Sequence, residues 1–136
     1  MSTDPIDAST IVGTLLRDFA DLTAIVPVDG IKEEAVPANT PLPVLPIESV
    51  SIVERHPLKR GQTTRTIERV SVNIRAASHR DRKRIRLLVI DACAGKFGDI
   101  AGAKSVSIIT AGAGPNMRGP GDSYDRRQDF KVTYDA

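Results

Sequence analysis

Two long stretches of the chain alternate between apolar and polar residues with a period of two. From Thr64 to Ala76, Val70, Val72, Ile74 and Ala76 fall on one side and Arg69, Ser71, Asn73 and Arg75 on the other, as in a strand with one face on a core. Residues Ser123 to Asp135 repeat the pattern. Tyr124, Arg126, Gln128, Phe130, Val132 and Tyr134 share one face, while Asp125, Arg127, Asp129, Lys131, Thr133 and Asp135 share the other. So regular a closing segment is expected to be tied into a sheet.

Two further stretches carry a helical period. Val12, Leu15, Leu16, Phe19 and Leu22, behind a cap at Asp7 or Ser9, predict a first helix reaching about Leu22. Ser78 caps a second helix, which begins HRDRKR and continues IRLLVIDACAGKF with the stripe Ile85, Leu88, Val89, Ala92 and Cys93. Gly95 and Gly98 bracket its end, with Lys96 placed in the last turn, where a cation suits the helix dipole.

The connections follow from proline and glycine. Pro27 and Asp29-Gly30 force a turn, and Ile31 to Val36 is a short, acidic edge-strand candidate. Pro37, Pro41, Pro43 and Pro46 hold the next stretch extended. A strand then runs from near Ile47 through Val50 and Ile52 to Glu54, and the nearby prolines predict an edge position or a bulge. Residues 56–63 read as an exposed hairpin tip, and Lys104 to Ala111 as a penultimate strand with Val106 and Ile108 inward. Residues 112–121 (GAGPNMRGPG) read as a loop longer than a simple hairpin needs, which points to a contact role. The sum is an α+β fold in the order α-β-β-α-β-β: a mixed or antiparallel sheet of about four to five strands with two main helices packed on it. The 136 residues form a single expected domain, with 1–6 flexible.

Composition narrows the chemistry. Aromatic residues make up 4% and tryptophan is absent, so the core must be aliphatic. Cys93 is the lone cysteine and His56 and His79 the two histidines, without metal-ligand spacing, so neither a disulfide framework, a metal nor a cofactor is expected. No apolar run approaches the roughly 18 residues of a membrane span, and the polar, acidic start is unlike a secretory signal. The expectation is a soluble protein made in a cytoplasm. The letters HRD at 79–81 resemble a kinase catalytic loop, but the asparagine that motif requires is replaced by Arg86. The glycines of 112–121 lack the Gly-Lys-Ser/Thr ending of a phosphate loop and lead into a strand. Cys93 sits on an apolar stripe, and no carboxylate pair stands out. An enzyme is not expected.

Charge is distributed unevenly. Residues 1–50 hold eight acids against two bases, residues 54–86 hold eleven bases against three acids, and the rest is balanced at six each. Surfaces of opposite potential favour head-to-tail self-association or an acidic partner. The densest cluster is His79, Arg80, Arg82, Lys83, Arg84 and Arg86 at the second helix's start, where cations oppose the helix dipole.

Four segments, in this order, resemble the tail-terminator (tail-completion, minor tail protein) family of long-tailed bacteriophages and related gene transfer agents. They are the Ile-Val-Pro after the first helix (25–27), LPVLPIESVSI (42–52), RVSVNIRAAS leading into a helix (69–78), and YDRRQDFKVTY (124–134). The resemblance implies a small domain that assembles as a six-membered ring on the head-proximal end of a finished tail. Such a ring stops tube polymerisation and offers the head its attachment surface. Implied partners are further copies of the chain, a tail tube protein, a head–tail connector protein and the DNA passing through the lumen. The implied location is the virion tail, assembled in the host cytoplasm, with no membrane. Arg55, Lys59 and Arg60, with Arg80, Arg82, Lys83 and Arg84, are the candidate subunit contacts; Asn116, Met117 and Arg118 are candidates for touching tube or connector. The basic 79–86 segment departs from what the resemblance implies, and it could face DNA or a neighbouring subunit. A head–tail connector or head-closure neck protein shares the size and ring logic and is the alternative. A nucleic-acid-binding module that reads no sequence is a further one, although aromatic stacking positions are missing among the bases.

Overall fold

In the computed structural model, which describes residues 6–55 and 65–135, three helices and seven strands are formed. They are α1 (Ala8–Arg17), α2 (Ala20–Thr23), β1 (Ile31–Lys32), β2 (Leu45–Arg55), β3 (Arg65–Ala76), α3 (His79–Cys93), β4 (Phe97–Ile100), β5 (Ala103–Ala113), β6 (Met117–Arg118) and β7 (Tyr124–Asp135). The sheet runs β1-β2-β3-β7-β5-β4, with β6 beside β7 at the end that β5 has left. Only β1 and β2 are parallel; every other pair is antiparallel. The α+β class stands, but the sheet has seven strands rather than four or five. The expected hairpin tip, with His56, Lys59 and Arg60, lies outside the described residues.

The two alternating segments lie side by side at the centre. Arg65 stands opposite Asp135 and Ala76 opposite Tyr124, with unbroken register between. Val70, Val72 and Ile74 therefore share a face with Phe130 and Val132, and α1 and α3 cover it. Ile11, Val12 and Leu16 of α1, with Ile85 and Val89 of α3, are wholly buried there. Each such side chain contributes about 1.5–3 kcal/mol. β2 shifts register between Ser49 and Ser51, and β1 covers only its start, so the bulge and the edge position expected from its prolines both occur.

Helix α1 is shorter than expected. Phe19 is extended (φ −89°, ψ 102°) and breaks it after Arg17, redirecting the chain so that α2 buries Leu22. Of the two possible caps, Asp7 is the one used: its Oδ1 accepts from the Thr10 N–H (2.9 Å), the Thr10 hydroxyl (3.0 Å) and the Ser9 hydroxyl (2.7 Å). A second carboxylate reaches the same helix end. Glu68, buried in β3, accepts from the Ala8 N–H (3.1 Å) and from the Tyr134 hydroxyl (3.0 Å), tying α1 to the central strands.

Helix α3 is capped by Ser78 as expected, its hydroxyl accepting from the Asp81 N–H at 3.1 Å. It ends at Cys93, so Lys96 lies beyond the last turn. Gly95 (φ 77°) reverses the chain and its N–H donates to Ile108 O. That contact launches β4, a strand whose FGDI sequence carries no apolar alternation.

The 112–121 segment is not a free loop. Ala113 stands opposite Gln128, the Gly114 N–H donates to Arg127 O, and Met117 stands opposite Asp125, so the segment keeps to the edge of β7. The reversal is confined to Gly119–Ser123, where Gly121 (φ 68°) and Asp122 (φ 60°) both take positive φ and the Ser123 N–H donates to Pro120 O. Two consecutive positive φ values give the tight turn whose twist matches paired strands. Together, 103–135 make one long hairpin with irregular pairing.

Burial raises the Asp7 pKa, but the hydrogen bonds from Ser9 and Thr10 outweigh it and hold the carboxyl below its ordinary 3.8. Asp7→Ala is expected to lower the unfolding free energy by about 1 kcal/mol at neutral pH. A depressed folded-state pKa gives stability that is complete above the unfolded value and lost as pH falls through the folded one. Urea titrations of both proteins should therefore converge as pH falls through the depressed folded-state value.

Candidate functional site

The sheet face away from the helices carries charge. Arg65 pairs with Asp135 (2.8 Å), Arg69 with Asp129 (2.8 Å) and Arg75 with Asp125 (3.8 Å). Asp129 also takes the Ser71 hydroxyl and, at 3.2 Å, Arg127. Ser71 and Arg75, expected to face solvent, are thus buried on the uncovered face: Ser71 beneath this network and Arg75 beside Asp125 and the carbonyl of Pro120. The β3 cations are spent within the sheet. A depression of about 520 Å³ remains on this face, lined by Glu48, Val50, Asn73, Met117, Arg118 and Arg127 among others.

Helix α3 differs. Among the described residues none of its cations is ion-paired. Four of its residues, His79, Arg82, Lys83 and Arg86, recur at helical spacing and line a pocket of about 220 Å³ with Asn116 and Arg126. Among the described residues no carboxylate lines it. Arg82 is 94% buried, being 6% exposed. It donates to Met117 O (3.2 Å) and Asp125 O (3.4 Å), meets His79 Nδ1, and lies 5.5 Å from the Tyr124 ring centre. Arg118 approaches the same ring at 4.0 Å. Arg86 donates to Gln128 Oε1 (3.0 Å) and Arg126 to Gly114 O (2.9 Å). The Nε atoms of Arg82 and Arg86 are buried without a partner among the described residues. Burial, and then the neighbouring Arg126, lowers the Arg86 pKa. Crowded cations with no carboxylate beside them among the described residues make this pocket suited to an anion.

Of the residues singled out from sequence, Arg82, Lys83 and Asn116 meet in this pocket. Met117 and Arg118 border the depression of the other face, Arg118 also lying over the Tyr124 ring, and Arg80 and Arg84 are exposed on α3 outside the pocket. Arg55 ends β2, and Lys59 and Arg60 lie outside the described residues. Sequence reasoning missed Arg126 as a site residue. Its signal was an arginine on the otherwise inward face of the last strand.

A second charged hollow lies at β1. Arg17, Val28, Asp29, Ile31, Lys32, Glu33 and Glu34 line a groove of about 490 Å³. Arg17 donates to Glu33 (3.2 Å) and to Ile31 O (3.0 Å), fixing the edge to α1. Asp29 and Glu34 are exposed and have no ion pair among the described residues.

Neither a protein-family model nor a curated protein matches the sequence. Among solved structures, the chain is similar to one in the virion of a native gene transfer agent particle. The match has a TM-score of 0.65 at 20% identity and covers 95% of both chains. The likeness is one of fold from end to end.

Asp129 is a buried carboxylate holding three donors, so Asp129→Ala should cost about 2–3 kcal/mol, read as a lower urea midpoint. Arg127→Ala, which removes only one of its two exposed partners, should cost under about 1 kcal/mol.

Proposed function

We propose that this chain is a structural subunit of a tailed particle, a phage or a gene transfer agent. In this reading it is the tail terminator. Copies close into a ring, six-membered as the family resemblance implies, on the head-proximal end of the tail tube. The ring ends polymerisation, presents a surface to the head–tail connector and leaves a passage for DNA. The observation that carries the reading is the end-to-end likeness to a gene transfer agent virion chain. Two of the four segments that prompted the family resemblance, 69–78 and 124–134, also build the centre of the sheet. A scaffold role also suits the chemistry on display: the pocket offers cations and amide donors, and the only cysteine is buried with its thiol pKa pushed up to about 12.

A ring of identical subunits joins two unlike patches on each copy. The chain offers such a pair in the cationic pocket and the acidic β1 groove. The test is tail length, measured by electron microscopy in particles made without this gene. Overlong, irregular tails lacking heads are expected. Tails of normal length beside unattached heads would instead identify a connector or head-closure protein.

A further inference from the structure

We infer that the cationic pocket of one copy receives the acidic β1 edge of a second copy, in a head-to-tail contact. The inference deepens the ring reading and rests on it. Its first support is the position of the two patches. Ile31 of β1 stands beside Leu45, Val44 bridges Arg75, Arg75 stands opposite Asp125, and Asp125 stands opposite Met117 of β6. At this level the sheet is five strands wide, and β1 and β6 are its two lateral edges. The acidic groove is built on the first edge, and the pocket, through Asn116 and the Arg82 bond to Met117 O, on the second.

The second support is charge. Lys83, Arg86, Arg126 and the buried Arg82 crowd together with no carboxylate among them. On the opposite edge, Glu33 has one oxygen engaged by Arg17, while Asp29 and Glu34 lack ion pairs among the described residues. An incoming carboxylate would relieve the repulsion between Arg86 and Arg126. Each edge also exposes one large apolar side chain, Val28 at the groove and Met117 in β6. A concave site of this size suits one or two side-chain carboxylates better than the continuous backbone of a duplex. Because the two patches differ and sit on opposite flanks, repeating the contact propagates in one direction and can close.

Charge reversal tests the pairing on the purified full-length chain, with mass followed by light scattering at low salt. The wild type should form multimers that dissociate as salt rises. Glu33→Lys/Glu34→Lys and, separately, Lys83→Glu/Arg126→Glu should each weaken association at least tenfold. Mixed in equal amounts, the two variants should reassemble, because every reversed edge then meets a reversed pocket. Lys83→Glu alone, altering an exposed side chain, serves in place of the double pocket variant if that one fails to fold by circular dichroism. Overturning results are a wild type that stays monomeric, variants that assemble like the wild type, or a mixture that does not reassemble. A pocket variant that assembles normally but loses binding to a duplex DNA probe would assign the pocket to phosphate and also overturn the pairing. The tail-length experiment stands apart. Normal tail length after deletion would remove the terminator role while salt-sensitive, charge-reversible assembly upheld the contact.

Discussion

The pairing of β3 with β7 is the constraint on which the rest of the molecule depends. Both strands run twelve residues in one uninterrupted register. Side chains alternate sides along each strand, so register decides at a stroke which residues meet the helices. It sets Val70 against Phe130 and Glu68 against Val132 on the covered side, and Arg75 against Asp125 on the other. A slip of one residue would bring Arg69 and Lys131 under α1 and α3. The outer strands need no such regularity. β2 and β5 both break register, and those irregularities let one sheet carry a two-residue edge on each flank.

A short buried polar seam joins that sheet to its helices. Glu68 is wholly buried, with one oxygen shared by the Ala8 N–H and the Tyr134 hydroxyl. Helix N-termini leave backbone donors without intrahelical partners, and a carboxylate there also complements the dipole. Glu68 therefore does for α1 across the sheet what Asp7 does within the chain. The apolar stripe of α1 supplies attraction without direction, and these two carboxylates fix where the helix begins. With its start fixed, the far end of α1 places Arg17 against Glu33 and Ile31 O, which holds the acidic edge in place.

The long elements were legible from the sequence because their signals are periodic and repeated. Strands β3 and β7, helix α3 with its Ser78 cap, and the inward pair Val106 and Ile108 follow from spacing alone. What escaped were elements defined by partners. β4 and β6 are strands only because β5 and β7 lie beside them, and residues such as Phe97 and Met117 remain exposed. The break at Phe19 reflects the demand that Leu22 reach the core, which the stripe of α1 does not announce. Of the site, the basic start of α3 was visible. The convergence of Arg126 and Asn116 on it was not, since the hairpin that brings them together read as a loop.

Charge counted along the chain and charge presented in space are different quantities, and β7 makes the difference. Arg65, Arg69 and Arg75 account for part of the basic middle third, yet each meets an aspartate of β7 across the sheet. Cross-strand pairing of this kind contributes roughly 0.2–1 kcal/mol per pair and removes those cations from recognition. Among the described residues the cations of α3 have no such ion pair. The strand beside them offers Gln128 and Arg126 where a carboxylate would have neutralised them. Like charges near a helix N-terminus work against both the dipole and one another. A fold selected for stability alone would gain by placing an acid on that strand face, as β7 does three times on its other face. That β7 neutralises the arginines of β3 on one face, while the cations of α3 go unpaired on the other among the described residues, is the physical reason to look for the counter-charge outside the subunit.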